Sequence, residues 1–146
     1  KQVGQMQTLL ENLYKQETTF GETDFSALCG HLGKHVNKRS FLVLYTNFSN
    51  MTSLNRQLVY LQQLARQHRV LVVFFEDADL KEYIAGKSVT TEDYYRHVIA
   101  EKFAFEKRLI VSTLKQHGIY SLLTTPDKLS IDVINKYLEM KSRQLL

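Results

Sequence analysis

Apolar positions along this chain change period several times, and each change marks an element. Between Val3 and Lys15, Leu9, Leu10, Leu13 and Tyr14 recur at helical spacing among glutamines and predict an amphipathic helix. The pattern breaks from Thr18 to Glu22, then resumes as Phe25, Leu28, Cys29, Leu32 and Val36. This is the stripe of a second helix, with Thr23 or Asp24 as its cap and Asn37-Lys38-Arg39 as its end. Phe41-Leu42-Val43-Leu44-Tyr45 is continuous and stops at Thr46-Asn47, as a buried parallel strand does. After Asn50 or Thr52 as cap, Leu54, Leu58, Leu61 and Ala65 line a crossover helix, with Arg56, Gln57, Gln63 and Arg66 opposite. Val70 to Phe75 is a second apolar, β-branched run ending at Glu76-Asp77.

The second half repeats this alternation. Asp79 to Ala85 reads as a short helix stopped by Gly86, and Thr90 or Thr91 with Glu92 and Asp93 opens a long one. Tyr95, Val98, Ile99, Phe103, Leu109, Ile110 and Leu114 carry it to Gly118, its C′ residue. Ile119 to Leu123 is a third, shorter strand. Thr125-Pro126 then offers a cap followed by proline at the first position of a last helix lined by Leu129, Val133, Ile134, Tyr137 and Leu138. Strands alternating with helices predict a single α/β domain over residues 1–146, a three-layer Rossmann-like parallel sheet with right-handed crossovers. A strand as apolar as Phe41 to Tyr45 calls for neighbours on both sides. A sheet of three leaves one of its edges unfinished, so the chain reads as the C-terminal part of a larger domain.

Composition adds few constraints. At 146 residues, 44% hydrophobic and 23% charged, the chain has the profile of an average globular protein. No apolar run approaches the roughly 20 residues that span a bilayer, so no membrane contact is expected of this piece. The opening Lys1 and the polar stretch behind it point to missing upstream residues. The net charge of +4 is scattered among acids instead of gathered in a block, which argues against nucleic acid. A single cysteine, Cys29, permits no internal disulfide and fits a reducing, cytoplasmic setting.

Candidate chemistry gathers at the predicted strand ends. Glu22-Thr23-Asp24, Thr46-Asn47 and Glu76-Asp77 can converge at one crevice as hard oxygen ligands for Mg²⁺, although helix capping and turn formation account for the same residues. His31 and His35 sit four apart on one helical face, but no Glu stands between them as in HExxH. His68 and His117 fall near helix ends, where an imidazolium favours the dipole. Cys29 lies on an apolar stripe, the position of a core residue and not of a nucleophile. Glycine-rich phosphate loops, GxSxG elbows and CxxC pairs are absent. Tyr94-Tyr95-Arg96, with Phe103 and Phe105, forms a candidate aromatic contact surface.

Several strings in order resemble the C-terminal half of the bacterial "domain of unknown function 58" family, whose members have a von Willebrand factor A-like fold. They are Glu22-Thr23-Asp24-Phe25, Arg39-Ser40 through Asn47-Phe48, His68-Arg69-Val70-Leu71-Val72-Val73, and Ile134-Asn135-Lys136-Tyr137-Leu138-Glu139-Met140-Lys141. The resemblance covers nearly the whole chain. It implies a metal-ion-dependent adhesion site, with Thr23 as its second-loop threonine and Asn47 at a position that is usually Asp. The DxSxS motif of such sites is missing. A vestigial site is therefore implied, with no cofactor in this chain and Mg²⁺ only in an intact domain.

The family further implies a non-enzymatic interaction domain whose protein partner is a MoxR-type AAA+ ATPase, acting in assembly or maturation of complexes. Upstream segments of such proteins tether them to the membrane. In that fold another strand lies beside Phe41 to Tyr45, so its absence exposes Phe41, Val43 and Tyr45 for homodimerisation through the strand edge. Tyr94 and Tyr95 join them as interaction residues. The alternative is a metal-dependent hydrolase or phosphotransfer domain using Glu22, Asp24, Glu76 and Asp77.

Overall fold

The run richest in β-branched and aromatic residues takes the centre of the sheet. The computed structural model describes residues 2–17, 23–76, 80, 84 and 90–145. In it, β1 (Phe41–Tyr45), β2 (Arg69–Phe75) and β3 (Tyr120–Thr124) form a parallel sheet in the order β1-β2-β3. Among the described residues, five helices accompany them over several turns each: α1 (Gln2–Tyr14), α2 (Phe25–His35), α3 (Met51–Gln67), α4 (Thr91–Gln116) and α5 (Leu129–Ser142). The fold is mixed α/β, as the alternation predicts, and is compatible with a Rossmann-like arrangement. The short helix expected at Asp79 to Ala85 falls largely outside the described residues.

Register sorts the sheet into two faces, because side chains alternate along each strand. Val43 stands opposite Leu71, and Leu71 opposite Tyr120. Leu42, Leu44, Val70, Val72, Phe74 and Leu123 therefore share one face. They pack with Phe25 and Cys29 of α2, Leu54, Leu61 and Leu64 of α3, and Ile110 and Leu114 of α4 into one core. The other face carries Phe41, Val43 and Tyr45 beside Leu71 and Val73. There Tyr137 of α5 meets the Phe41 ring at 5.8 Å, and Thr124 donates a hydrogen bond to Asp132 of α5. Three layers result, with α2, α3 and α4 on one side and α5 on the other.

Capping follows the sequence closely at three helix starts. Asp24 Oδ1 accepts from Ala27 N at 2.9 Å, Asn50 Oδ1 accepts from Ser53 N at 2.9 Å, and Thr90 Oγ1 accepts from Asp93 N at 3.1 Å. The last two are closed by a return bond from the third residue, forming capping boxes. At the end of α4, Gly118 adopts φ +71°, Gly118 N donates to Lys115 O, and Ile119 N donates to Leu114 O. This is a Schellman closure, and it holds Ile119 on the helix end so that β3 starts at Tyr120, one residue later than predicted.

Three expectations are corrected. The last helix is not capped by Thr125 with Pro126 inside it. Thr125 to Lys128 form a turn in which Lys128 N donates to Thr125 O at 3.1 Å, and α5 starts at Leu129 without a side-chain cap. Proline at the second position of such a turn uses its fixed φ there, which competes with its use at a helix start. The strand expected to be buried, β1, is an edge strand whose residues are half-buried and whose Tyr45 is exposed. On α3, Leu64 joins Leu54 and Leu61 as fully buried, whereas Leu58 is only half-buried.

The first helix stands apart in a different sense. α1 forms, yet it packs against no other described element, and its side chains from Gly4 to Tyr14 are exposed. No helix among the described residues is long and apolar enough to cross a membrane.

Candidate functional site

Parallel pairing brings the strand tips to one edge. Past β1, Thr46 N donates to Val73 O at 3.0 Å, and past β2, Glu76 N donates to Thr124 O at 3.1 Å. Asn47 and Phe48 follow directly on β1. Phe48 is buried and stacks on Phe25 of α2 with ring centroids 6.1 Å apart, so the segments carrying Thr23 and Asn47 meet through their neighbours. Thr23 itself is exposed, ahead of the capping Asp24.

Asn47 has a partner that sequence reasoning missed. Lys107 reaches over from α4 and donates from Nζ to Asn47 Oδ1 at 2.6 Å and to Phe48 O at 2.8 Å. The same ammonium lies 5.6 Å from the centre of the Phe74 ring, within cation–π range. Burial of the stem and head lowers its pKa below the ordinary lysine value. The cationic group next to the β1 tip is thus a side chain of α4. Its signal was present in the sequence, since Lys107 precedes Ile110 by three and Leu114 by seven, on the helix face that turns inward.

The carboxylates are less collected than the sequence allowed. Asp24 uses its side chain on the cap of α2. Glu76 is half-buried at the end of β2, and Asp132 accepts from Thr124 at the end of β3. Glu22 and Asp77 lie outside the described residues. Among the described residues, no three His, Cys, Asp or Glu side chains come together as metal ligands.

The histidines and the cysteine have structural partners. His31 and His35 stack at 4.2 Å, and His35 Nδ1 donates to the His31 carbonyl at 2.9 Å. His117 Nδ1 pairs with Gln62 Nε2 at 2.8 Å. His68 lies at the end of α3 as placed, and it is buried, with Nδ1 accepting the Ser40 N–H at 3.3 Å. Cys29 is buried as predicted, its thiol 3.5 Å from Tyr60 O, and burial pushes its pKa up. A thiol held protonated in this way is a poor nucleophile.

Both apolar surfaces expected to make contacts are open to solvent in part. On β1, Phe41 and Val43 are half-buried and Tyr45 is 59% exposed. On α4, Tyr94 and Tyr95 are mostly exposed, set edge-on at 6.3 Å, and Val98, Ile99, Phe103 and Phe105 continue the exposed apolar surface. The structure thus separates the predicted residues into an edge around Asn47, a strand flank and a helix surface.

Compared with family models, curated proteins and solved structures, the chain matches none of them. The fold class that the structure itself defines is a mixed α/β arrangement around a three-stranded parallel sheet.

Proposed function

We propose that this chain is a non-enzymatic protein-interaction module of von Willebrand factor A-like architecture, which works with a MoxR-type AAA+ ATPase in assembling or maturing other complexes. The observation that carries the reading is the flank of β1. Its sequence is that of a core strand, yet among the described residues only β2 pairs with it, on one side. An unpaired row of backbone donors and acceptors beside apolar side chains is a template for strand addition, by a partner or by a second copy. The tie between Lys107 and Asn47 supports the non-enzymatic side of the proposal, because a cationic side chain already holds the oxygen that a metal would need.

Affinity capture with the full-length protein tests the reading. An AAA+ ATPase should be recovered, and Tyr45→Lys, which places a charge on the flank, should abolish its recovery. Recovery of no ATPase or other stable partner would overturn the proposal. Mg²⁺ should leave the melting temperature unchanged. A clear Mg²⁺-dependent rise that Asp24→Ala removes would favour the hydrolase or phosphotransfer alternative.

A further inference from the structure

The sequence of α4 is more apolar than its packing requires. The helix has 26 residues and is about 39 Å long, more than twice the length of the five-residue strand it packs beside. Its buried line runs through Ala100, Ile110 and Leu114, with Lys107 partly buried beside it. At about 100° per residue, Tyr95, Val98, Ile99, Phe105 and Leu109 spread over roughly a third of the circumference apart from that line, while Phe103 falls at the angle of the line itself, between Ile110 and Leu114. They are 40% to 66% exposed. A helix apolar on its core side and again on its outer side has a surface to cover.

We infer that this outer surface of α4 binds the same surface of a second copy, as an antiparallel helix pair. The inference rests on the interaction-module reading and narrows it to one surface and one occupant. Area is the first argument. Side chains of this size and exposure offer roughly 600 Å² with Tyr94 included, against about 800 Å² per partner in a standard specific interface.

Charge is the second argument. Lys102 and Glu106 lie within the apolar arc, one helical turn apart. A parallel pair in register would set Lys102 against Lys102 of the other copy. With a two-fold axis level with Ala104, Lys102 of each copy instead faces Glu106 of the other, and Ile99 faces Leu109. Each contact then occurs twice, as an isologous interface requires.

Sedimentation equilibrium of the whole chain provides the test. The 17.0 kDa chain should dimerise with a Kd of micromolar order. Ile99→Asp should leave the circular dichroism spectrum and melting temperature close to those of the parent and abolish the dimer. Lys102→Glu and Glu106→Lys should each weaken it about tenfold, as two exposed attractive pairs become repulsive, and the double change should restore it.

Cysteine pairing reads the register. Ile99→Cys with Leu109→Cys in one chain should cross-link on oxidation, whereas either change alone should not, and buried Cys29 stays out of reach. A chain that is monomeric well above micromolar concentration overturns the inference, as does a dimer indifferent to Ile99→Asp or cross-linked by the single cysteines. A dimer lost with Tyr45→Lys but not with Ile99→Asp would move self-association to β1 and leave the interaction reading standing. A monomer that also captures no partner would remove both.

Discussion

The two faces of the sheet are made from similar residues and are covered very differently. Val70, Val72 and Phe74 meet side chains from α2, α3 and α4, whose apolar stripes close over them. Leu71 and Val73 point the other way from the same strand and are just as fully buried, but α5 is the described helix over their face. At β1 the difference shows. Leu42 and Leu44 pack against the core of the first face, whereas across the strand the cover ends at the contact of Phe41 with Tyr137, and Tyr45 is exposed. Residues of the second face are therefore not all buried alike: Leu71 and Val73 are fully buried, Phe41 and Val43 half-buried, and Tyr45 exposed. What matters is how many amphipathic elements the chain lays over each side.

The strongest way to break this comparison is to cut matched cavities. Leu61→Ala on the first face should cost about 2–5 kcal/mol in urea unfolding, because a fully buried side chain leaves a cavity that its neighbours fill only in part. Val43→Ala on the open end of the second face should cost about 1 kcal/mol or less. Equal losses would show that the two faces are equally tight.

Lys107→Met tests the rim of the first face. It removes the donor to Asn47 and Phe48, and a loss of about 1–2 kcal/mol is expected. A pH dependence should accompany it. The folded-state pKa of Lys107 is lowered, so between that value and the reference value of 10.5 the unfolded chain binds more protons, and this residue's contribution to stability rises with pH. The parent should therefore gain on Lys107→Met as the solution becomes alkaline. A constant difference in melting temperature would remove this account.

Gly118→Ala probes the junction between α4 and β3. A Cβ at Gly118 meets no atom within 4 Å, so the cost should be that of a left-handed backbone alone, about 1 kcal/mol. The smallest effect belongs to the helix that belongs to neither face. Leu9→Gln in α1 should shift stability by less than about 0.5 kcal/mol in the isolated chain. A larger loss in thermal melts would show that α1 docks in solution.

Much of this was legible beforehand because it is local. Asp24, Asn50 and Thr90 cap their helices because a short polar side chain meets its own backbone three residues on, whatever surrounds it. Gly118 ends α4 because glycine tolerates positive φ. Pro126 was misplaced because its fixed φ suits both a helix start and a turn, and the packing of α5 against β3 chose between them. Lys107 was passed over because lysine is usually solvated, and its reach to Asn47 crosses sixty positions of sequence.

The sequence by itself thus determined the alternation of strands and helices, their caps, and the apolar character of β1 and α4, since each depends on residues within a few positions. Only the tertiary structure decided that β2 is central, that an ammonium meets the Asn47 oxygen, and how far each apolar surface is covered. Those outcomes depend on which elements compete for the same face, and periodicity along a chain records that a face is apolar without recording what lies against it.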